Sequence, residues 1–341
     1  MKAVFSERQL SHVPEFFIAA GRKVANPEQP GRAERLLETL ETMGVPVFEA
    51  ESHGAGPRVA VHSPQYLDFL EHAHEDWLHL FGVAGEVMPS MRPLEAPGAY
   101  PRGIVGRAGW HMADLACPIG PSTWEAACAS ADTAVTAADM VAGGERVVYA
   151  LCRPPGHHAH ATRAGGFCYL NNTAIVAERL RALAPRVAVL DIDVHHGNGT
   201  QAIFYRRRDV FTVSVHADPA DYYPFFWGHA HENGAGEGDG YNLNVPLPVG
   251  SGDDLWLDAV TGAVAAIAAF EPAALVLALG LDAYEGDPLA GGAVTTAGFG
   301  RIAGIIAGLG APTVIVQEGG YLCDGLGHNL ESFLAGFVAG Q

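Results

Sequence analysis

The sequence predicts an α/β protein with a single doubly wound, mostly parallel β-sheet flanked by helices. Short, almost wholly apolar runs indicate the strands, because strands covered on both faces lack the alternation of a half-exposed sheet. Segments with helical periodicity lie between these runs, as parallel strands require. A polar group suited to metal or acid–base chemistry follows each of four runs, and such sheets bind ligands at the carboxyl ends of their strands.

The four runs differ in the polar residues that follow them. The runs are residues 147–151, 187–190, 274–279 and 313–316. They lead respectively into Arg153-Pro154-Pro155-Gly156-His157-His158, Asp191-Ile192-Asp193-Val194-His195-His196, Asp282, and Glu318-Gly319-Gly320-Tyr321. We therefore expect all four polar groups to meet in one crevice at the carboxyl ends of the strands.

Four amphipathic segments predict the crossover helices. The first begins at Ser122, where Ser-x-x-Glu matches a capping box, and stops near Gly143. The second begins at Asn172 or Thr173 and ends before Pro185. Asp253 and Thr296 begin the third and fourth. This alternation of strands and helices predicts one domain over residues 1–341.

Two stretches interrupt the alternation. Residues 82–121 contain prolines 89, 93, 97, 101 and 118 with several glycines, which predicts a Pro/Gly-rich insertion, ordered or flexible, without a regular element. Residues 217–240 contain five aromatic side chains, which could line a pocket, lie at a subunit contact or pack in the core. These aromatic residues are Tyr222, Tyr223, Phe225, Phe226 and Trp227.

Composition narrows the possible functions. Hydrophobic residues at 49% and charged residues at 17% describe a soluble globular protein with a large core. The net charge of −18 disfavours nucleic acid and favours a cationic small molecule or basic peptide, although acidity is also a common route to solubility. The five scattered cysteines form no Cys-x-x-Cys pair, so we expect a reducing cytoplasm. No membrane partner is expected, because Glu271-Pro272 interrupts the most hydrophobic region.

Three residues at two of the strand ends form a candidate metal site. Asp193 and His195 are two positions apart, so in an extended chain they point to the same side, where Asp282 from another strand can join them. This oxygen and nitrogen set suits Zn²⁺, with Fe²⁺ or Co²⁺ also possible, and leaves a position open for water and substrate. Short polar clusters at strand ends often only bond the backbone, but the convergence of several motifs makes that alternative the weaker one.

Together these motifs resemble the zinc-dependent histone deacetylase family. The matching segments are residues 153–158, Gly165-Gly166-Phe167-Cys168, Asp191 to Gly197, Gly280-Leu281-Asp282 and residues 318–321. The opening segment, the Pro-rich insertion and residues 124–127 are most similar to the bacterial acetylpolyamine amidohydrolase branch. The resemblance implies an arginase/deacetylase-like fold and a deacetylase activity.

The resemblance also implies a role for each matching residue. Asp193, His195 and Asp282 would hold zinc, His157 and His158 would handle protons, and Tyr321 would contact the substrate carbonyl. Asp191 would accept a hydrogen bond from His157, and Asn198 would orient His158. Gly166, Phe167 and Tyr223 would line a narrow channel for the acylated amine. A structural potassium ion would lie among Asp191, Asp193, His195 and Ser214.

Two positions bear on substrate preference. Glu15 could bind a distal ammonium at the channel mouth, although a solvated carboxylate is the simpler interpretation. Val105 stands where the polyamine branch would place a second carboxylate. We expect a deacetylase of small acetylated amines such as acetylpolyamines, acting as a homodimer. The alternatives are an acetyl-lysine deacetylase of proteins or peptides and, more remotely, a non-catalytic protein that binds acylated amines.

Overall fold

A central sheet of eight strands organises the fold. The computed structural model describes residues 1–83, 85–93 and 99–341. In the order in which they lie across the sheet, the strands are β4 (Val47–Glu49), β1 (Lys2–Phe5), β5 (Val147–Ala150), β10 (Thr313–Gln317), β9 (Ala274–Leu279), β6 (Val187–Asp191), β7 (Val210–Ala217) and β8 (Asn242–Leu247). Every neighbouring pair in this sheet is parallel. The predicted fold class is therefore confirmed.

Helices cover both faces of the sheet. They are α1 (Pro30–Thr42), α2 (Gly56–Val59), α3 (Pro64–Phe81), α4 (Ile104–His111), α5 (Thr123–Ala142), α6 (Asn172–Arg181), α7 (Asn198–Phe204), α8 (Asp253–Phe270), α9 (Thr296–Ala307) and α10 (Leu326–Ala339). Alternate residues of the central strands β5, β10, β9 and β6 enter two separate apolar cores. One core contains α3, α5 and α6, and the other contains α1, α8, α9 and α10.

The four strands that carry the predicted motifs are neighbours in the middle of the sheet. They lie in the order β5, β10, β9 and β6. In the parallel register, Val316 of β10 is opposite Ala150 of β5 and Ala278 of β9, and Asp191 of β6 is also opposite Ala278. Their carboxyl ends are thus level at one edge, where the following loops must meet.

Some local predictions were wrong. The insertion at residues 82–121 contains a regular helix, α4, although residues 84 and 94–98 of that insertion, including Pro97, lie outside the described residues. Ser122 occupies the N-cap of α5 without accepting a capping hydrogen bond. Asp253 lies one residue inside α8, and its carboxylate accepts hydrogen bonds from Thr295 instead of capping its own helix.

A short antiparallel hairpin lies apart from the main sheet, formed by β2 (Phe16–Ala19) and β3 (Arg22–Ala25). Its first strand hydrogen-bonds to the segment after α4, where the Ile18 amide donates to the Leu115 carbonyl over 3.0 Å. Within the described part of the chain, no helix is both long and apolar enough to cross a membrane.

Candidate active site

A cavity of about 740 Å³ opens at the carboxyl edge of the sheet. Its inner wall holds the polar residues that follow β5, β6 and β10, and its outer wall is largely apolar and comes from the hairpin, the segment after α4 and the aromatic loop 222–227. Among the predicted site residues, those on the wall are His157, His158, Gly166, Phe167, Asp193, His195, Asn198, Tyr223 and Tyr321.

Asp193, His195 and Asp282 form a compact buried cluster beside this cavity. One ligand atom from each lies within 4.8 Å of those of the other two. The two carboxylates converge on His195, whose Nδ1 is 3.1 Å from Asp193 Oδ1 and 3.2 Å from Asp282 Oδ2. The second oxygen of each carboxylate is held by a backbone amide, that of Gly319 for Asp193 and that of Val194 for Asp282.

Three observations indicate that this cluster suits a cation. Asp282 Oδ2 is buried and accepts no hydrogen bond within the described residues. Burial, together with the neighbouring charge of Asp193, raises the pKa of Asp282, so a cation would stabilise its ionised form. Gly319 keeps the space open, since a Cβ there would collide with both carboxylates. The donor set of two carboxylates and one imidazole is one that zinc accepts.

His157 is held by a carboxylate on its far side. Its Nδ1 lies 2.9 Å from Asp191 Oδ2, and its Nε2 lies 3.8 Å from Asp193 Oδ1. Burial alone would lower the pKa of His157, but Asp191 and Asp193 outweigh burial and raise the pKa to about 10. The ring is therefore cationic at neutral pH.

His158 has the opposite environment. Its Nδ1 lies 2.7 Å from Asn198 Oδ1, so the partner is a neutral amide. Burial, reinforced by the positive charges of His157 and His195, holds the pKa of His158 well below its ordinary value. The two histidine rings are 4.0 Å apart, yet one is cationic and the other is a neutral base.

Contacts with Asp287 and Arg32 hold Tyr321 in place. Its amide donates to Asp287 over 2.9 Å, and the guanidinium of Arg32 lies 4.7 Å from the centre of its ring. Arg32 also donates to the carbonyls of Glu318 and Gly320, which precede the tyrosine. Gly320 has a φ of 107°, a conformation that glycine adopts without strain, and this turn directs Tyr321 to the cavity wall.

Glu318 organises the loop below the histidines, a role that the sequence analysis did not assign. Its Oε2 accepts hydrogen bonds from the amides of Gly156 and His157 over 2.6 and 3.0 Å. Its Oε1 accepts one from Thr173 Oγ1 over 2.6 Å. Burial raises the pKa of Glu318 to about 7. Its position directly before Gly319-Gly320-Tyr321 was visible in the sequence, but its partners were not.

The aromatic side chains near the catalytic groups include the predicted Phe167 and Tyr223 and also Tyr222, for which no single role was predicted. Phe167 packs edge-on against Tyr321 at 5.9 Å, and Tyr223 packs edge-on against His158 at 5.0 Å. Tyr222 stacks on His195 at 5.0 Å and donates from its hydroxyl to the carbonyl of Leu289. Of the three interpretations of the aromatic loop, pocket lining is the one that Tyr222 and Tyr223 fit.

The remaining predicted residues lie away from the cavity wall. Glu15 is exposed, and its backbone amide donates to Glu86. Val105 is part of α4, and neither residue is among the described residues that line the cavity. Ser214 is buried opposite Asp191 in the register of β6 and β7, and its hydroxyl lies 2.8 Å from His216 Nδ1.

Comparison with known proteins shows relatives that match along almost the whole chain. The histone deacetylase domain profile matches residues 26–337. An acetylpolyamine amidohydrolase of Burkholderia pseudomallei (strain 1710b) is 48% identical over 339 residues, which cover 99% of each protein. Acetylpolyamine amidohydrolase 1 of Pseudomonas aeruginosa is 40% identical over 342 residues, again covering 99% of each.

The fold agrees with these sequence relationships. A crystal structure of acetylpolyamine aminohydrolase from Burkholderia pseudomallei matches with a TM-score of 0.96 at 47% identity, covering 100% of this chain and 99% of that one. The crystal structure of the HDA15 HD domain matches with a TM-score of 0.79 at 29% identity, covering 99% and 90% respectively. This chain belongs to the histone deacetylase domain family, whose members are metal-dependent.

Proposed function

We propose that this protein hydrolyses the amide bond of acetylated amines, with acetylpolyamines as its main substrates. The observation that carries the proposal is the meeting, at one cavity, of a cluster that could hold a cation, a neutral histidine and a tyrosine. Full-length relatives in Burkholderia pseudomallei and Pseudomonas aeruginosa bear the name acetylpolyamine amidohydrolase, which supports the substrate class. A protein that only bound acylated amines would not need these three groups together.

Zinc is the cofactor that we propose for the cluster of Asp193, His195 and Asp282. When bound, zinc supplies Lewis acidity, which makes a water molecule a stronger acid and polarises the substrate carbonyl. The two aspartates offer negative charge, and the imidazole of His195 offers a neutral nitrogen once its proton has left. Fe²⁺ and Co²⁺ are compatible with the same donors.

His158 is the general base in this proposal. Because its pKa is held below the ordinary value, the ring is unprotonated at neutral pH and can take a proton from the attacking water. Asn198 at Nδ1 fixes the ring orientation, leaving Nε2 as the nitrogen that exchanges protons with the substrate. The proton then passes to the departing amine, so His158 ends each cycle neutral.

His157 and Tyr321 are proposed to stabilise the negative charge that develops during the reaction. The cationic ring of His157, paired with Asp191, places a positive charge next to the reacting groups and to Asp193. The pKa of Tyr321 is raised by burial far above neutrality, so its hydroxyl stays protonated and can donate a hydrogen bond to the oxyanion that forms from the carbonyl.

Other residues are proposed to contact the substrate or to bind a structural ion. We propose that Gly166, Phe167 and Tyr223 enclose the alkyl chain of the amine, since Phe167 and Tyr223 present aromatic rings beside the catalytic groups. Glu15 is the proposed contact for a distal ammonium group. A structural potassium ion is proposed among Asp191, Asp193, His195 and Ser214, of which Asp191 and Ser214 are paired across β6 and β7.

A single catalytic domain and a homodimer complete the proposal. The central sheet contains both β1 and β10, and the last helix, α10, packs against α1 and α9, which supports one domain over residues 1–341. The insertion at about 82–121 is the proposed subunit contact, and the proposed compartment is the cytoplasm. Sedimentation at micromolar concentration tests the dimer, and a monomer would contradict it.

Turnover on matched substrates tests the activity. Zinc-loaded protein is given N-acetylputrescine, an acetyl-lysine peptide and an acetylated histone, with His158→Ala as the inactive control. We expect the highest kcat/KM for N-acetylputrescine, because the full-length relatives bear the name acetylpolyamine amidohydrolase. Faster turnover of the peptide would favour the acetyl-lysine alternative, and no turnover of any substrate would contradict the proposed activity.

A further inference from the structure

We infer that Asp114 is a positioning residue of this site, which holds the Tyr223 ring against His158 and so sets the width of the channel beside the reacting groups. The inference deepens the proposed function and rests on it. It concerns a residue in the segment after α4 that none of the sequence motifs includes.

The carboxylate of Asp114 joins three segments of the chain. Its Oδ2 accepts hydrogen bonds from the Tyr223 hydroxyl over 2.6 Å and from the Gly166 amide over 2.8 Å. Its Oδ1 accepts a hydrogen bond from the amide of Ala116 over 2.8 Å, which fixes the carboxylate relative to its own backbone. Hydrogen bonds to an ionised acceptor are stronger than neutral ones, so this connection is stiff.

The bond to Gly166 supports a strained part of the wall. Gly166 and Phe167 both have positive φ angles, 53° and 67°, and for Phe167 that conformation is unfavourable. The next hydrogen bonds in this turn run between Gly165 and Cys168. Asp114 therefore holds the strained turn on one side and Tyr223 on the other with the same oxygen atom.

There is little free space at this junction. The Tyr223 ring is 5.0 Å from the His158 ring and 6.0 Å from the His195 ring, edge-on to both. A Cβ added to Gly166 would lie 2.9 Å from the Tyr223 hydroxyl and would collide with the His158 ring. Since glycine is needed for clearance here, a small tilt of Tyr223 would change the bore of the channel.

Without the Asp114 carboxylate, the Tyr223 ring would be free to tilt. Within the described residues, Asp114 is the partner of the Tyr223 hydroxyl, so without it a largely buried hydroxyl would have to turn toward water. The ring would then no longer be held against His158, and its outward displacement would widen the channel beside the reacting groups. A linear alkyl chain would lose contacts, while a branched chain that the wild-type channel excludes would gain room.

Selectivity for uncharged substrates tests this inference. N-butylacetamide and the branched N-sec-butylacetamide are given to wild type, Tyr223→Phe, Asp114→Asn and the double variant. We expect each single variant to lower the linear-to-branched ratio of kcat/KM by about tenfold, the effect of losing one hydrogen bond to a charged group. In the double variant we expect no further loss, because Asp114 acts through the tyrosine hydroxyl.

Asp221→Asn is the matched control. Asp221 is an exposed carboxylate on the wall of the same cavity, and its side chain makes no hydrogen bond within the part of the chain that the structure describes. We expect this variant to keep the wild-type ratio. If Asp114→Asn changed turnover of cationic N-acetylputrescine alone, with the ratio for the two neutral amides unchanged, Asp114 would act by its charge and the inference would be wrong.

A crystal structure of Asp114→Asn gives a readout that does not depend on turnover. We expect the Tyr223 ring to be displaced from His158, and an unmoved ring would overturn the inference. The proposed function fails separately, if zinc-loaded wild type has no activity on N-acetylputrescine. Active wild type with the same selectivity in Tyr223→Phe and Asp114→Asn would reject the positioning role alone.

Discussion

Among single residues, Asp282 shows most directly how burial and charge prepare a metal site. It shares a buried space with Asp193, and both burial and that neighbour raise the pKa of Asp282. The Val194 amide donates to one oxygen of Asp282, whereas the other oxygen, 3.2 Å from His195 Nδ1, forms no hydrogen bond within the described residues. Such a cluster is costly without a cation and stabilised with one.

Asp282→Ala should abolish tight zinc retention and activity together. The variant loses one of three ligands and half of the negative charge of the cluster. Metal analysis after dialysis against a weak chelator measures retention, with exposed Asp254→Ala as the control that keeps one zinc per chain. Full zinc occupancy in Asp282→Ala would show that the ion binds elsewhere.

The two adjacent histidines should respond differently to the same substitution. His158→Ala removes the neutral base, whereas His157→Ala removes a cation and leaves the base in place. At pH 7 we expect the loss of kcat to be larger for His158→Ala, on the scale of 10² to 10⁴ that is typical of general acid–base catalysis. Steady-state kinetics decides this, and near-wild-type turnover in His158→Ala would exclude it as the base.

Tyr321→Phe isolates a single hydroxyl. We expect normal folding and substrate binding but a loss of about 100-fold or more in kcat, the usual effect of removing one oxyanion donor. Binding of a substrate-like amide by calorimetry serves as the control for the pocket. Unchanged kcat in Tyr321→Phe would mean that the hydroxyl does not contact the developing charge.

Among the helices, two N-caps allow a matched comparison. Thr295 caps α9 by accepting from the Gly298 amide and also donates to Asp253, whereas Ser122 at the N-cap of α5 forms no side-chain capping bond. Thr295→Ala should therefore lower the free energy of unfolding by about 1–2 kcal/mol, and Ser122→Ala by less than about 0.5 kcal/mol. Urea unfolding of both variants measures the difference, and equal losses would contradict these cap assignments.

Strands could be predicted from the sequence only where burial on both faces requires a continuous run of apolar residues. The four central strands are buried on both faces, so their apolar runs were visible, and their positions in the sheet brought the predicted site residues together. The edge strands β4 and β8 do not give such a run. In β4 all three residues are exposed, and β8 alternates asparagine with apolar residues and contains a proline.

Other features depend on contacts between distant residues. Helix α4 is eight residues long and follows several prolines and glycines, so local composition argued against it. Asp114 binds Tyr223 across 109 positions of sequence, and an isolated aspartate in a loop gives no signal of such a bond. The Ser122 prediction failed for a similar reason, because a capping pattern states what a side chain can do but not what the fold permits.

At the scale of the whole molecule, a buried ionic cluster links the first 32 residues to the active-site loops. Glu28 Oε1 lies 2.8 Å from Arg32 Nη1 and 2.9 Å from Arg153 Nε. Arg32 continues to the carbonyls of Glu318 and Gly320, and Arg153 donates to the carbonyls of Gln9 and His12. The segment that follows β1, from Gln9 to Arg32, thus supports the loops that carry His157 and Tyr321.

The pH dependence of stability should report on this cluster. Burial alone would raise the pKa of Glu28, but Arg153 and Arg32 outweigh burial, and the pKa is lowered from its ordinary 4.5. A carboxyl group with a lowered folded-state pKa contributes stability above its ordinary pKa, and this contribution is lost as pH falls through the folded-state value.

Glu28→Gln should therefore be less stable than wild type by about 3–5 kcal/mol at pH 7, because two buried guanidinium groups lose their counter-charge. The difference should shrink below pH 4.5, as the wild-type carboxyl group becomes protonated. Urea unfolding at several pH values measures this difference, with the exposed Glu34→Gln variant in the adjacent helix α1 as the control. A difference that stayed constant over the whole pH range would contradict the assignment of charge.

The position of β10 has a consequence for how the protein is made. Among the strands of the described residues this one comes last in sequence, yet it lies in the middle of the sheet between β5 and β9. During synthesis the other strands leave the ribosome before β10, which joins them. Until residues 313–317 emerge, the strands on the two sides of β10 have unpaired apolar edges. Tyr321 follows β10 directly, so the candidate site can form only when the nascent chain has joined the two halves of the sheet.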